Sequence, residues 1–348
     1  MSESHDAYAT AGQHYTSSAR RDWVKRAWEE PAFHRHLEAA LARAAGHGLH
    51  ADLDVLDIGC GTGVALDLLL ATPSLAAGHF RLARATGLDL DEGLLAIARS
   101  RYADDARVAF VNGDLSAVPD TGPHDLVLSS GVPFSHLTPD RLEPALARIA
   151  QVALTGAQDP GVALLIVDVL GRYSLEWTSR WDRVRWDYRM SFFATDGVIP
   201  ATPMTTWDGA ELAATIGRAA ATAGAEVADL MMVDRSLAVG RHTMTGEYTP
   251  GLPRLRDLVD ALAEPGSDSE ASVDVDPALL RIDLTLPEAP DEVLAQHAAF
   301  ASAWNAALTE PLAPAALAER LRSVESEFEG AGLGLGHSLT AFAVLTAA

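Results

Sequence analysis

The sequence is almost without cysteine: Cys60 is the single thiol among 348 residues. That excludes an intramolecular disulfide and any zinc site built on cysteine. No apolar run approaches the ~20 residues that a membrane-spanning helix needs. The stretch from Met1 to Ser18 is polar and lacks the apolar segment of a secretory signal. A soluble, cytoplasmic protein is therefore expected. Basic residues are also in short supply, 26 Lys and Arg against 48 Asp and Glu, for a net charge of −22. No basic run offsets this locally, so phosphate backbones and anionic lipid heads are both poor partners. The simplest role of the acidity is solubility. No internal repeat is present.

What the chain does have is apolar material, 48% of its residues, enough for a large core. Residues 1–20 read as a polar, mobile lead. Arg21 to Ala45 has a helical stripe of Trp23, Ala27, Trp28, Phe33, Leu37 and Leu41, with a kink or restart expected at Pro31. Short apolar runs then alternate with helical patterns. Strands are expected at Val55–Ile58, Ala85–Leu88, Val108–Val111, Leu126–Ser129, Val162–Val167 and Val227–Val233. Helices are expected at Val64–Ala71, Glu92–Tyr102, Pro139–Ala153 and Asp208–Ala223. This is the rhythm of a doubly wound parallel sheet. Residues 239–336 interrupt it. There Pro265–Pro277 reads as an acidic, solvated linker. Leu280, Ile282, Leu284 and Leu286 alternate with polar residues as a half-buried strand would, and helices follow at about 291–309 and 313–328. His337–Thr346 supplies a seventh strand.

The chemistry starts at Gly59-Cys60-Gly61-Thr62-Gly63, between the first strand and its helix. A glycine turn there lets backbone approach a ligand closely. The spacing is G-x-G-x-G, and Val64 stands where a dinucleotide fingerprint would have its third glycine. Alone, the turn is weak evidence. Asp89 ends the second strand, where an acid can accept both hydroxyls of a ribose. Asn112-Gly113-Asp114-Leu115 follows the third strand, offering a carboxylate for an exocyclic amine and an apolar wall for a base. The fourth strand ends at Ser129-Ser130, facing the same crevice.

From Val55 to Pro133 these elements resemble, in order and spacing, the class I (Rossmann-like) S-adenosylmethionine-dependent methyltransferases. The resemblance covers roughly residues 50–235 and the last strand. It implies a seven-stranded Rossmann-like sheet whose final strand runs antiparallel between the fifth and sixth. With the pattern above, the chain is expected to divide into an N-terminal helical segment (1–50), a core (51–238), a mostly helical insertion (239–336) and a last core strand (337–348). By resemblance, Asp57, Gly59 and Gly61 line the methionine part of S-adenosyl-L-methionine, Asp89 the ribose, Leu90, Asp114 and Leu115 the adenine, and Ser130 the methionine end. The resemblance implies methyl transfer and is silent on the acceptor, while the acidity, the aromatic segment and the insertion fit a small molecule, expected to be one of specialised metabolism. A nicotinamide-dependent oxidoreductase and a non-catalytic binding protein on the same fold are the readings of other classes. A protein acceptor is a weaker alternative.

The acceptor is less legible. Methyl transfer needs a positioned nucleophile and, for many acceptors, a proton acceptor. His136, after the fourth strand, is a candidate general base or a structural histidine, and Asp168 ends the fifth strand in the same region. Tyr173, Trp177 and Trp181 follow at helical spacing with Arg180 beside them, as core or as a pocket for a planar or carboxylate-bearing acceptor. If the sixth strand points at the crevice, the insertion lies over it as a lid or acceptor-binding sub-domain, with His242 and His337 at its roots. Those two histidines, with Glu247 or Asp168, are candidates for a divalent metal that would assist C-methylation of an α-keto acid. Two unrelated loop histidines are the alternative. Phe300 and Trp304, at i, i+4, leave open a homodimer contact in place of a lid.

Overall fold

Nine strands form the frame of the protein, seen in a computed structural model that describes residues 21–155, 161–191, 198–264 and 275–347. The expected polar lead and most of the acidic linker lie outside the described residues. β1 (Asp52–Ile58), β2 (Arg81–Asp89), β3 (Val108–Asn112), β4 (Leu126–Ser129) and β5 (Val162–Gly171) pair in parallel in the order β3-β2-β1-β4-β5. β5 is buried along its whole length, which is why it reads as an unbroken apolar run rather than an alternating one. β9 (Ser338–Ala347) runs antiparallel to β5 on one side and to β8 (Ala225–Arg235) on the other. These seven strands are the expected sheet, with the last strand between the fifth and sixth.

The remaining two are an addition. β6 (Arg185–Arg189) and β7 (Ala201–Trp207) form an antiparallel ribbon, and β7 joins the carboxyl end of β5 through Leu170 and Gly171. Sequence reading passed over them because Arg-Trp-Asp-Tyr-Arg carries its apolar residues on one face only, within a segment already dense in aromatics.

Helices cover both faces. α1 (Glu30–Gly46) and α2 (Val64–Leu70) pack Leu37, Leu41 and Leu66 on one face, against Val55, Leu126 and Ile166. α3 (Glu92–Arg101) is capped by the Asp91 carboxylate, which accepts from Leu94 N–H. α4 (Pro139–Leu154) and α5 (Gly209–Thr222) cover the other face with Leu146, Ile149, Leu212 and Ile216. The expected restart at Pro31 is a change of helical register: a π-helical turn, Val24–Glu29, runs directly into α1. Such turns mark functional sites more often than ordinary helix does.

A third core sits beyond the carboxyl end of β5. The insertion supplies α6 (Leu255–Ala263), α7 (Asp291–Ala307) and α8 (Pro314–Phe328), which bury Val259, Phe300, Trp304 and Leu321 with Trp28 of the π-helical turn. Phe300 and Trp304 are fully buried, beside Phe328 and Trp28, so this apolar face is used within the chain and leaves no dimer contact of the kind considered above. The strand expected at 280–286 is also absent. Its alternating burial is real, but the segment has no partner strand. Asn305 takes that part instead: its Oδ1 accepts from Ile282 N–H at 2.9 Å and its Nδ2 donates to Ile282 C=O at 2.9 Å.

Glu325 of α8 is fully buried. One carboxylate oxygen accepts from Ala238 N–H at 3.0 Å and the other has no partner. Burial pushes its carboxyl up to about 8. An unfolded glutamate titrates near ~4.3, so in between the folded state holds the extra proton and stability falls as pH rises. Glu325→Gln keeps the acceptor and removes the titration. Its melting temperature relative to the parent should rise from about pH 5 to about pH 8 and level off above that. Parallel melting curves across that range would show the role to be absent.

Candidate active site

The crevice begins where β1 ends. Gly59 and Gly61 have φ of +68° and +51°, backbone that side chains with a Cβ rarely adopt. A Cβ at Gly59 would meet Pro133 at 2.7 Å, whereas one at Gly61 would meet nothing within 4 Å. The turn is therefore pinned on one side and open on the other. Asp89 holds it: its carboxylate accepts from Gly61 N–H at 2.8 Å and from Asp91 N–H at 2.9 Å. Burial raises the Asp89 carboxyl above its ordinary value, with those N–H groups opposing. Beneath the turn lies Asp57, 2% exposed, with neither carboxylate oxygen bonded. Burial, and then the charge of Asp89, push it up to about 7.

The base-side residues share an edge of this crevice. Asp114 accepts from Ser116 N–H at 2.8 Å, capping the short turn that carries the partly buried Leu115. Leu90 is exposed, and Asn112, which sequence reading did not single out, fixes it by donating to Leu90 C=O at 2.9 Å. Ser130 is half-buried next to Ser129, whose buried hydroxyl has no partner.

The loop after β4 carries backbone strain. Val132, a β-branched residue, sits at φ +58°, beside Gly131 at +83°. Asp168, with no exposed surface, holds both: one carboxylate oxygen accepts from Gly131 N–H at 2.9 Å and Val132 N–H at 3.2 Å. The other accepts from Thr340 Oγ1 at 2.7 Å and from Arg235 Nη2 at 2.8 Å. His136 ends the helical turn that follows, half-buried. Burial, and then Arg185, push its imidazole down to about 4, so it is neutral near pH 7.

The structure gathers Trp177, His242 and His337 but separates Trp181 from them. Trp177 is fully buried, donating from Nε1 to Gly171 C=O at 3.1 Å. Its ring lies 5.7 Å from His242, 5.4 Å from His337 and 5.6 Å from Trp186. Tyr188 and Tyr248 close the wall around His242 at 4.7 and 5.0 Å. His242 has no exposed surface and no hydrogen bond at either ring nitrogen. Burial pushes it down to about 3. Trp181 stacks on His297 instead, and Arg180 lies over Tyr248 at 4.9 Å. Between Tyr173 and Trp181 the chain forms a kinked 3₁₀ turn, Leu175–Arg180, not the α-helix its spacing suggests.

Glu176 organises this cluster and was missed by sequence reading, which followed the aromatic residues around it. Its carboxylate accepts from the backbone N–H of His242 at 2.9 Å and pairs closely with His337 Nδ1. Burial pushes the Glu176 carboxyl up, but the two histidines outweigh it and the net direction is down. Gly240 makes this approach possible, since a Cβ there would lie 1.9 Å from the carboxylate. The expected metal site is not built: among the described residues no group of three or more His, Cys, Asp or Glu side chains is arranged to hold an ion. The acids named for it are engaged elsewhere, Glu247 with Arg189 and Asp168 with Arg235.

Residues 55–156 match the family model of a methyltransferase domain. That segment, about a third of the chain, is similar to a methyltransferase domain. That match favours methyl transfer over the nicotinamide reading. Over 136 residues the chain is 32% identical to the polyketide synthase component of lovastatin nonaketide synthase from Aspergillus terreus, covering 37% of this chain and 4% of that protein. It spans only a small fraction of that relative's length. Among solved structures, a S-adenosylmethionine-dependent methyltransferase from Clostridium acetobutylicum is similar at 12% identity, 64% coverage of this chain, 90% of the other and a TM-score of 0.42. The amino pentose methyltransferase CalS10 of Micromonospora echinaspora is similar at 19%, 67%, 93% and 0.37. No helix among the described residues is long and apolar enough to cross a membrane.

Two outcomes follow from this geometry. Asp168→Ala leaves the half-buried Arg235 without its carboxylate and frees the strained loop, so it should destabilise by about 3 kcal/mol in a denaturant melt. A cationic group bound against Asp57 would lower its pKa, so binding should release a proton. Affinity for S-adenosylhomocysteine should then climb as pH rises to about 7. Calorimetry in two buffers of different ionisation enthalpy measures the proton directly. No released proton would remove Asp57 from the contact.

Proposed function

We propose that the protein methylates a small-molecule acceptor, held between the loop after β4 and the aromatic cluster. The observation that carries the cofactor side is Asp57: a buried carboxylate without partners, under a glycine turn open to a ligand. A cationic amino group and a nucleoside fit that donor and acceptor set, with Asp89 at the ribose, Leu90, Asp114 and Leu115 at the adenine and Ser130 near the methionine end. S-adenosyl-L-methionine, when bound, supplies a methyl group already activated toward a nucleophile.

The chain's own residues then position the acceptor and exclude water. His136 is the proposed proton acceptor, because its imidazole is neutral and it follows the strained loop directly. Asp168 holds that loop and moves no proton, since its oxygens already accept four hydrogen bonds. His242 is the proposed polar contact to the acceptor. Its two unbonded nitrogens, in a wall of four aromatic rings, suit a planar molecule with a hydrogen-bonding group. The curated relative is a polyketide synthase component, which supports an acceptor from specialised metabolism.

The test has two stages. Calorimetry should show S-adenosylhomocysteine binding, lost in Asp89→Ala. Acceptor screening by mass spectrometry should yield a product one methyl heavier. His136→Ala should then lower kcat by roughly 10²–10⁴ with cofactor affinity intact, the range of general base catalysis. Absence of S-adenosylhomocysteine binding to the intact protein would defeat the reading.

A further inference from the structure

Lys25 is the only lysine in the chain, and it sits in the π-helical turn that leads into α1. Its side chain is 24% exposed, and its ammonium has one ion pair, a long one of 3.5 Å to Glu29 Oε2. That same oxygen pairs with Arg241 Nη2 at 3.0 Å, while Glu29 Oε1 takes Arg256 Nη1 at 2.7 Å. One carboxylate thus serves three cations. Asp22 relieves Arg256 with two further contacts, at 2.7 and 2.6 Å. Glu30, the other nearby acid, is taken by Arg21. An ammonium has three donors, and here they meet a shared partner at a distance too long for a good hydrogen bond.

The position of the cluster points to a ligand. Arg235, at the end of β8, adds its charge and is itself joined to Asp168, which holds the loop after β4. Arg241 follows at the root of the insertion, its N–H directed to His337 Nδ1 at 3.3 Å. The cations therefore lie between the loop after β4 and the aromatic cluster. We propose that Lys25, flanked by Arg235 and Arg241, receives a carboxylate of a ligand bound in the crevice. The inference rests on the methyltransferase reading. An anion here would take the donors that Glu29 leaves short, and the half-buried setting would screen the pair less than open water does. Burial pushes the unliganded ammonium down to about 8, as expected for a charge that lacks its full complement of partners. The placement beside the insertion favours a carboxylate of the acceptor. The carboxylate of the cofactor's methionine part is the other source.

A single lysine makes the test clean. Reductive methylation with isotope-labelled formaldehyde puts one NMR-visible dimethylammonium on Lys25 and keeps its charge. The signal is assigned by its absence in Lys25→Arg. A shift with S-adenosylhomocysteine, and none with methylthioadenosine, which lacks the carboxylate, supports the site and assigns it to the cofactor. A shift on adding pyruvate or benzoate to the protein saturated with S-adenosylhomocysteine supports it and assigns it to the acceptor. Lys25→Gln should weaken the responsible acid by roughly tenfold, the order of one lost charge-assisted contact, with Lys25→Arg restoring most of it. Methylthioadenosine affinity should be unchanged in both. Binding of S-adenosylhomocysteine with no movement of the Lys25 signal by any of these acids overturns the proposal. Failure to bind either nucleoside overturns the methyltransferase reading itself.

Discussion

The carboxylate of Asp168 is the constraint on which the rest of the crevice depends. It ends no chain of charges at the surface. It lies fully buried on β5 and joins three strands and a loop. Thr340 ties it to β9, Arg235 ties it to β8, and two backbone N–H groups tie it to the left-handed turn at Gly131 and Val132. A valine held at positive φ costs of order 1–3 kcal/mol, and it stays there only if its surroundings over-determine it. The buried acid supplies that determination. Because Val132 also packs against the third core, the same anchor registers the loop after β4 against that core.

A second theme is neutrality at the site within a strongly acidic protein. His136 and His242 are both pushed below their ordinary range by burial, to about 4 and about 3. They are hydrogen-bonding groups rather than charges near pH 7. Asp57 and Glu325 are pushed the other way by the same cause. Fixed charges there are gathered in compact pairs, Asp168 with Arg235 and Glu29 with Arg256. Desolvation, more than the net charge of −22, sets the local chemistry.

The Rossmann-like core was legible in the sequence because its signals are local. β5 is an apolar run since both its faces are covered, and the Gly59–Gly63 turn needs glycine for reasons of φ that no distant contact alters. Asp89 and Asp114 follow the ends of parallel strands, which share one crevice, so their placement there was local information. What stayed hidden depends on partners far along the chain. Alternation at Leu280–Leu286 announced a strand, but a strand also needs a neighbour, and Asn305 takes that place with one side chain. Glu176 gave no local sign of its role, because His242 and His337 lie 66 and 161 residues away. The spacing of Tyr173, Trp177 and Trp181 suggested a helix face, whereas Trp177 at φ −146° breaks the turn and sends the rings to different neighbours. A pair of histidines at the roots of the insertion was found correctly as a neighbourhood and wrongly as a metal site, since ligand geometry cannot be read from sequence separation.

The place of β9 has a consequence for how the molecule assembles. This strand fills the gap between β5 and β8, and its register pairs Val162 with Thr346 and Ala225 with Ala347. Such contacts join residues far apart in the chain, and the loop entropy they must overcome makes them slow to form. The whole insertion, from 239 to 336, lies between β8 and the strand that closes on it. Thr340, one of the groups that hold Asp168, arrives only with that closure. Until it does, the loop at Val132 lacks part of its restraint, so the crevice cannot be completed ahead of the sheet. Refolding followed by ligand binding and by overall structure should therefore report the same final step.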